Sequence, residues 1–443
     1  MSSLKSIIRK RTPQLLGAYH FLLAWSAAKF ARHPSQKIFV IGVTGTKGKT
    51  TTLELINAIL VAAGKKTALL SSLRVKIGDD TSKNQSGNSM PGRGYIQGFL
   101  RRAANAGCGY ALIEVTSQGV VAHRHRFVDW NIGVLTNLHP EHIESHGSFE
   151  NYRAAKLVFL KDVMRRGGKI FLNSDDPNFP FFDDALMSAK TEAFSMSSDV
   201  LRHYLPKPSA VRMAAGAELP NAAKFLLSDF NKSNIACAVA VTKELGISDP
   251  VIQKAIEEFE GVPGRANMVN VGDYTAVVDY AHTPESLEAI YKTVKPKKEG
   301  ARLLCVLGAA GGGRDIWKRV EFGKIAEKYC DELFLTEEDP YDEKPEKIIS
   351  DIRSGITNHA LSEPNIHEIP DRRDAIAAAV RIMRPGDVVV GTGKGSEDWI
   401  HNARGKRRPW NEKDEFERAL MAKTNPGSGA AQVGTSPLDL PWV

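Results

Sequence analysis

Residues 38–53 read IFVIGVTGTKGKTTTL, and the reading of that stretch decides the fold. Ile38, Phe39, Val40 and Ile41 form an unbroken apolar run of the kind that makes a strand buried on both faces. Gly42, Gly45 and Gly48 follow, and Lys49, Thr50 and Thr51 open a helix that continues as LELINAILVAAG. Leu53, Ile56, Ile59, Leu60 and Ala63 fall on one face of that helix, and Gly64 is placed to stop it. Strand, glycine loop and helix N-terminus together predict an anion cradle: backbone N–H groups and the helix dipole favour negative charge, and a lysine reaches the phosphates. The Thr50 hydroxyl stands where a nucleotide-bound Mg²⁺ needs an oxygen. Gly45, Thr46, Gly48, Lys49, Thr50 and Thr51 are therefore expected to bind a nucleoside triphosphate. The pattern G-x-x-x-x-G-K-[ST] departs at its first position, where Val43 stands and Gly42 lies one place early.

Outward from this stretch, composition sets bounds. A chain of 443 residues, 42% hydrophobic and 25% charged, is long enough for two or three domains, each with its own core. The net charge of +8 favours anionic partners, but Lys and Arg are scattered, and no zinc-finger or RNA-binding spacing occurs. A small anionic substrate together with ATP accounts for the charge without nucleic acid. Cys108, Cys237, Cys305 and Cys330 stand far apart, so they are expected to be reduced and buried in a cytoplasmic protein, with neither disulfide nor zinc.

Before the phosphate loop, KSIIRKR precedes PQLLGAYHFLLAWSAAKFARHP. The apolar run from Leu15 to Phe30 falls short of the ~20 residues that span a bilayer. It is expected to be a helix packed on the domain behind it, with a helix lying on an anionic membrane surface as the alternative. After the first strand–helix unit, residues 78–94 (GDDTSKNQSGNSMPGRG) read as a polar loop. The next strand ends at Glu114, where an α/β ATPase keeps a metal-binding carboxylate, and Thr116, Ser117 and Gly119 follow. Beyond IGVLTNL, Glu141, His142, Glu144 and His146 cluster, and Lys156 lies on a helix beginning near Ser148. Magnesium beside phosphates suits this cluster better than zinc. KIFLNSDDP forms a further strand, residues 179–220 are weakly patterned, and Asn231 and Asn234 sit in a loop opening a helix. Asparagine amides can read an adenine edge, although N-capping explains them as well. GVPGRAN (residues 261–267) reads as a hinge. Four strand–loop units then restart as YTAVVDYAHTP, ARLLCVLGAAGGGRD, DELFLTEEDPYDE and GDVVVGTGKGSED, which implies a second doubly wound domain. Gly308, Gly311, Gly312 and Gly313 suggest a dinucleotide fingerprint only weakly, without the acidic residue expected on the next strand. The composition of residues 424–443 is that of a disordered tail.

In order along the chain, VTGTKGKTTT, IEVTSQG, TNLHPEHIESHGSFENYRAAK, NSDDP, GVPGR, VDYAHTP, GGGRDIWKR and GTGKGSED resemble the motifs of the Mur ligases, most of all the MurE type, over residues 37–420. The resemblance implies an α/β fold: a P-loop-type ATPase domain over 37–262, a C-terminal Rossmann-like domain over 263–423, a helical segment over 1–36 and a tail over 424–443. It implies ATP-dependent, ADP-forming amide synthesis for peptidoglycan precursors, in which a muramoyl-peptide carboxylate becomes an acyl phosphate that an amino acid's amine displaces. It assigns Glu114 and His142 to Mg²⁺, and makes Lys156 a carbamate that holds a second Mg²⁺. Asn231 and Asn234 match adenine contacts, Arg265 a phosphate contact, Asp279 a ribose contact, and His282 an ATP-facing position. Ser117 and Arg124 match contacts to the muramoyl-peptide; Arg314, Gly393 and Glu397 match contacts to the added amino acid. The family usually carries a uridine-binding domain before the phosphate loop, where this sequence has residues 1–36. Its amino-acid-selecting loop reads D-N-P-R in diaminopimelate-adding members, against Glu338, Asp339, Pro340 and Tyr341 here. Its G-K-G-H-E becomes Gly393, Lys394, Gly395, Ser396 and Glu397. Two alternatives stay open: a related ligase for another acidic substrate, polyglutamate or cyanophycin-like, and a non-catalytic ATP-binding partner protein.

Overall fold

The computed structural model describes residues 13–92, 94–141, 143–187, 190–196, 204, 229–313, 315–357 and 363–425. The chain divides into two compact units, Met1–Val262 and Pro263–Val443.

The first unit opens with α1 (Pro13–Phe30) and a 3-10 turn, Pro34–Lys37, that leads into β1 (Phe39–Thr44). Then come α2 (Lys49–Ala62), β2 (Thr67–Leu70), β3 (Arg74–Ile77), β4 (Asp80–Lys83), α3 (Tyr95–Asn105), β5 (Tyr110–Glu114), α4 (Ser117–Val121) and β6 (Trp130–Leu135). The short α5 (Ile143–His146), α6 (Phe149–Arg165), β7 (Lys169–Asn173), α7 (Phe179–Ala185), β8 (Lys190–Phe194), α8 (Asp229–Glu244) and α9 (Asp249–Glu257) complete it. The sheet order is β4-β3-β2-β5-β1-β6-β7-β8. It is parallel except for β3 and β4, which turn part of the expected polar loop into an antiparallel hairpin on β2. β1 is flanked by β5 and β6, with Val43 opposite both Glu114 and Val134. Strand order reverses there, so the carboxyl ends of β1, β5 and β6 open a crevice at the switch point. Behind it Trp130, Phe159, Leu160 and Val163 close the core with Ile113 and Leu172.

The second unit contains β9 (Asn267–Val271), β10 (Tyr274–Asp279), α10 (Pro284–Val294), β11 (Leu303–Leu307), α11 (Trp317–Tyr329), β12 (Glu332–Leu335), α12 (Pro345–Arg353), β13 (Ile366–Glu368), α13 (Arg372–Ile382) and β14 (Val388–Thr392). A small antiparallel pair, β15 (Trp399–His401) with β16 (Arg407–Pro409), and α14 (Glu412–Thr424) follow. The sheet order is β13-β12-β11-β14-β10-β9, parallel apart from the β9–β10 hairpin. Phe416, Leu420, Trp410, Ile376 and Val380 cover one face with Leu304 and Val306.

Cys305, next to Leu304 and Val306 and on the opposite face of β11, is disulfide-bonded to Cys330 at the end of α11. This corrects the expectation of four reduced cysteines, which holds for the buried Cys108 and Cys237. The two partners are 25 positions apart in sequence. Helix α11 runs back along the strand it follows, and Asp331 N, donating to Leu303 O at 2.9 Å, clamps its end beside β11. Gly311 is no dinucleotide fingerprint residue: a Cβ there would stand 2.1 Å from the Pro340 carbonyl oxygen, so this glycine serves the close approach of two loops. Among the described residues no helix is long and apolar enough to cross a membrane. The Thr424 tail expectation falls, from residue 426 on, outside the described residues.

Candidate active site

Helix α2 begins where the loop leaves β1. Gly48, its N-cap, has φ 79°, and a Cβ there would meet Asn234 Oδ1 at 2.2 Å. The first ladder bond runs from Thr52 N to Gly48 O (2.8 Å), so the N–H groups of Lys49, Thr50 and Thr51 lie outside the helix ladder and face the crevice. Two loop amides are held from β6's end: Thr46 N donates to Asn137 O at 3.0 Å, and Lys47 N to Asn137 Oδ1 at 2.8 Å. Thr46 Oγ1 and the Tyr152 hydroxyl share a 3.0 Å hydrogen bond. Lys49 folds over the loop, its Nζ donating to Thr46 O (2.9 Å) and Gly45 O (3.1 Å).

Glu114, at the end of β5, is buried and accepts from the Thr50 hydroxyl at 2.9 Å and from Ser72 N at 3.0 Å. The Thr50 and Ser72 hydroxyls are 3.0 Å apart. An anionic and a neutral oxygen this close, at a helix N-terminus, are a donor pair that suits Mg²⁺ beside phosphate. Among the described residues no group of three or more His, Cys, Asp and Glu could hold a metal. Ser72 follows β2 in a turn with no glycine or charge pattern to mark it, and sequence reasoning missed it.

Lys156 arrives from α6, more than a hundred residues along the chain. Its side chain is fully buried, its Nζ lies 4.5 Å from the centroid of the Tyr152 ring, and it donates to Gly45 O at 2.8 Å. Burial, then the Lys49 charge, hold its amine well below the usual lysine pKa, against the pull of Glu141 and Glu114. Glu141 is buried and pairs with Lys47 at 3.4 Å. His146 Nε2 meets Ser117 Oγ at 3.1 Å, and burial followed by Lys156 lowers its pKa. Arg124 Nη1 donates to Met90 O at 2.5 Å. Asn231 and Asn234 are not in a loop but on the first turns of α8. Asn234 Nδ2 donates to Asn231 Oδ1 (3.0 Å), and Asn234 Oδ1 accepts from Thr52 (3.2 Å), because α8 packs directly behind α2. His142 and Arg314 lie outside the described residues.

The second unit gathers its own polar group at the carboxyl ends of β10, β12 and β14. Asp279 accepts from Ala266 N (2.6 Å) and Ala281 N (2.7 Å). The Arg265 guanidinium lies 4.3 Å from the Tyr280 ring centroid, and His282 Nδ1 is 2.7 Å from Tyr280 O. Lys394, fully buried, donates to Asp339 Oδ1 (2.8 Å) and Glu397 Oε2 (2.6 Å). The Tyr280 hydroxyl reaches Glu397 Oε1 at 3.2 Å. Glu338 packs against Gly393: a Cβ on that glycine would stand 2.4 Å from Glu338 Oε2. Burial pushes the Glu338 carboxyl up to about 7, with Lys394 opposing and Asp339 and Glu397 adding to the rise. Tyr341 stacks on His401 at 5.3 Å. Lys394 was visible in the sequence as part of GTGKGSED, but its role as the cation joining two acids was not.

A family model for the Mur ligase middle domain matches residues 43–242, and one for the Mur ligase, glutamate ligase domain matches residues 264–395. The chain is 36% identical over 383 residues to the UDP-N-acetylmuramoyl-L-alanyl-D-glutamate--2,6-diaminopimelate ligase of Syntrophomonas wolfei, covering 85% of this chain and 77% of that one. It is 34% identical over 413 residues to the UDP-N-acetylmuramyl-tripeptide synthetase of Deinococcus radiodurans, covering 90% and 81%. A solved UDP-N-acetylmuramoyl-L-alanyl-D-glutamate--2,6-diaminopimelate ligase superposes with a TM-score of 0.57 at 25% identity, over 87% of this chain and 79% of that one.

Proposed function

The chain belongs to the Mur ligase family, and from that premise we propose that it joins an amino acid to a UDP-N-acetylmuramoyl-peptide-like acceptor at the expense of ATP. The observation that carries this reading is the convergence of Lys49, Thr50, Glu114 and Lys156 on one glycine loop. A protein that only bound ATP would need the loop and Lys49, but no second, buried lysine beside it.

The cradle N–H groups and Lys49 hold the triphosphate and stabilise charge that moves onto the transferring phosphoryl group. The acceptor carboxylate attacks the γ-phosphorus, the bond to the ADP oxygen breaks, and an acyl phosphate forms. The amine of the incoming amino acid then attacks the acyl carbon, phosphate leaves, the amide forms and the amine gives up a proton. Thr50 and Glu114 would hold Mg²⁺, joined by His142. When bound, the cation neutralises phosphate oxygens and acts as a Lewis acid. The unprotonated form of Lys156, which burial favours, attacks CO₂ and loses a proton to become a carbamate, which would turn a donor into an anionic oxygen ligand for a second Mg²⁺. Asn231 and Asn234 border the adenine end of the site, and Arg265, Asp279 and His282, on the second unit, match the family's ATP contacts. Ser117 and Arg124 face the acceptor. Arg314, Glu338, Asp339, Gly393 and Glu397 receive the amino acid. The reading places the reaction in the cytoplasm, where ATP is supplied.

At the position of the family's selecting arginine, Tyr341 offers a ring stacked on His401 and one hydroxyl. A planar guanidinium fork would bind a distal carboxylate through two hydrogen bonds. Weaker discrimination in favour of diaminopimelate is therefore expected, or use of another diamino acid. The test is phosphate release with ATP, Mg²⁺, UDP-N-acetylmuramoyl-L-alanyl-D-glutamate and a panel of amino acids. Release that needs both acceptor and amino acid is expected. No acceptor-dependent release with any of them would overturn the reading. Selective use of diaminopimelate, unchanged in Tyr341→Ala, would show that this loop is not the selector.

A further inference from the structure

Helix α1 is apolar on two sides. Its inner side docks on the first unit: Ala28 is buried, Phe21 packs edge-on against Phe127 and His123 at 5.2 and 6.0 Å, and Ala27 abuts Gly94. Its outer side carries Tyr19, Leu22 and Trp25, exposed to 54%, 60% and 44%, and Phe30, exposed to 83%. Tyr19, Leu22, Trp25 and Lys29 recur at three- and four-residue spacing and form one stripe. A helix apolar all round is normally covered on every side, and this one meets protein on only one among the described residues.

The charge around it says what covers the other. The chain has no Asp or Glu before Glu54, yet it carries Lys5, Arg9, Lys10, Arg11, Lys29, Arg32 and Lys37 in that span. Lys29, Arg32 and Lys37 are exposed in the structure, and the Lys29 ammonium lies 5.1 Å from the centroid of the Trp25 ring. Arg101 of α3 adds a further exposed cation beside Phe30, across a groove that Ala27, Ala31 and Gly94 also line. Exposed aromatic rings with a polar edge, a leucine between them and a rim of one sign of charge suit contact with an anionic headgroup layer. A second copy of the same face would bring these cations against one another. We propose that the outer face of α1 is a docking surface for an anionic lipid bilayer, its apolar stripe in the headgroup–acyl boundary and its basic rim on the headgroups. This assignment stands apart from the ligase chemistry, because none of these residues contributes to the phosphate loop or to the Glu114 and Lys156 group.

Co-sedimentation of the full chain tests it, with vesicles of phosphatidylglycerol mixed into phosphatidylcholine, or of phosphatidylcholine alone, at low and high salt. The full chain should pellet with the anionic vesicles at low salt, weaken as salt rises, and stay in solution with neutral ones. Leu22→Glu/Trp25→Glu changes two exposed side chains and should abolish pelleting while circular dichroism and ATP-dependent phosphate release stay unchanged. Lys29→Gln/Arg32→Gln should weaken binding to anionic vesicles roughly 10- to 30-fold. Any of three results overturns the proposal: no pelleting with anionic vesicles at low salt, equal pelleting of Leu22→Glu/Trp25→Glu, or a dimer in gel filtration that this double variant splits.

Discussion

Lys156 is the buried side chain on which the proposed chemistry turns. Its amine is fixed by Gly45 O and the Tyr152 ring, and burial lowers its pKa well below the usual lysine value. Lys156→Arg places a permanent charge there and removes a nucleophile, so it should lose turnover as fully as Lys156→Ala. Labelled bicarbonate should give a carbamate signal in the parent protein that both variants lack; an active Lys156→Ala would sink the assignment. Lys49→Ala removes a charge that faces phosphate and takes nothing from the core. It should cost on the order of 10²-fold or more in phosphate release at unchanged thermal stability. Glu338 sets a pH dependence of stability. Its folded pKa, about 7, lies above the ordinary 4.5, so between these values the folded state holds a proton that the unfolded state has released. Stability from this group is full below about pH 4.5 and is lost as pH rises to about 7, by on the order of 2–3 kcal/mol. Melting curves at pH 5 and pH 8 should show Glu338→Gln without that decline; parallel declines in both proteins would contradict it.

At the scale of elements, the phosphate cradle depends on how α2 is started and on what stands behind it. Gly48 adopts a left-handed backbone that costs other residues roughly 1–2 kcal/mol, and its missing side chain leaves room for Asn234 on α8. Gly48→Ala should therefore lower thermal stability by at least that much and weaken ATP binding as well, because the loop and α8 must part. In the second unit α13 and α14 are locked by Arg372 and Glu412, both fully buried. Arg372 donates to Glu412 from Nε and Nη2, and also to Glu337 O and Thr392 O. Arg372→Met leaves a buried carboxylate unpaired, at about 3–5 kcal/mol. The double variant Arg372→Met/Glu412→Leu should recover most of that loss. Denaturant titration of the three proteins measures both steps.

For the whole molecule the simplest consequence of the cradle is linkage. ATP with Mg²⁺ at about 100 times its dissociation constant should stabilise the folded chain by about 2.7 kcal/mol. Lys49→Ala should lose most of that gain at the same nucleotide concentration. An equal thermal shift in both proteins would place nucleotide binding elsewhere. The Lys49–Glu114–Lys156 group lies in the first unit and the Lys394–Asp339–Glu397 cluster in the second, so each is a separate target for substitution.

The strand–glycine–helix stretch from Ile38 was legible in the sequence because everything that shapes it lies within one window: an apolar run, glycines at the turn, and a helix with one apolar face. Glu114 at the end of β5 was legible for the same reason, as the last residue of an apolar run. The tertiary structure alone decided what meets there. Lys156 reaches Gly45 because α6 crosses back over the sheet next to β6. Ser72 reaches Glu114 because β2 lies beside β5, although three other elements separate them in the chain. The Cys305–Cys330 bond and the seat of Asn234 behind Gly48 have the same origin. Periodicity and turn chemistry act over a few residues, whereas the contacts between distant side chains follow from strand order and crossover, which no local pattern encodes.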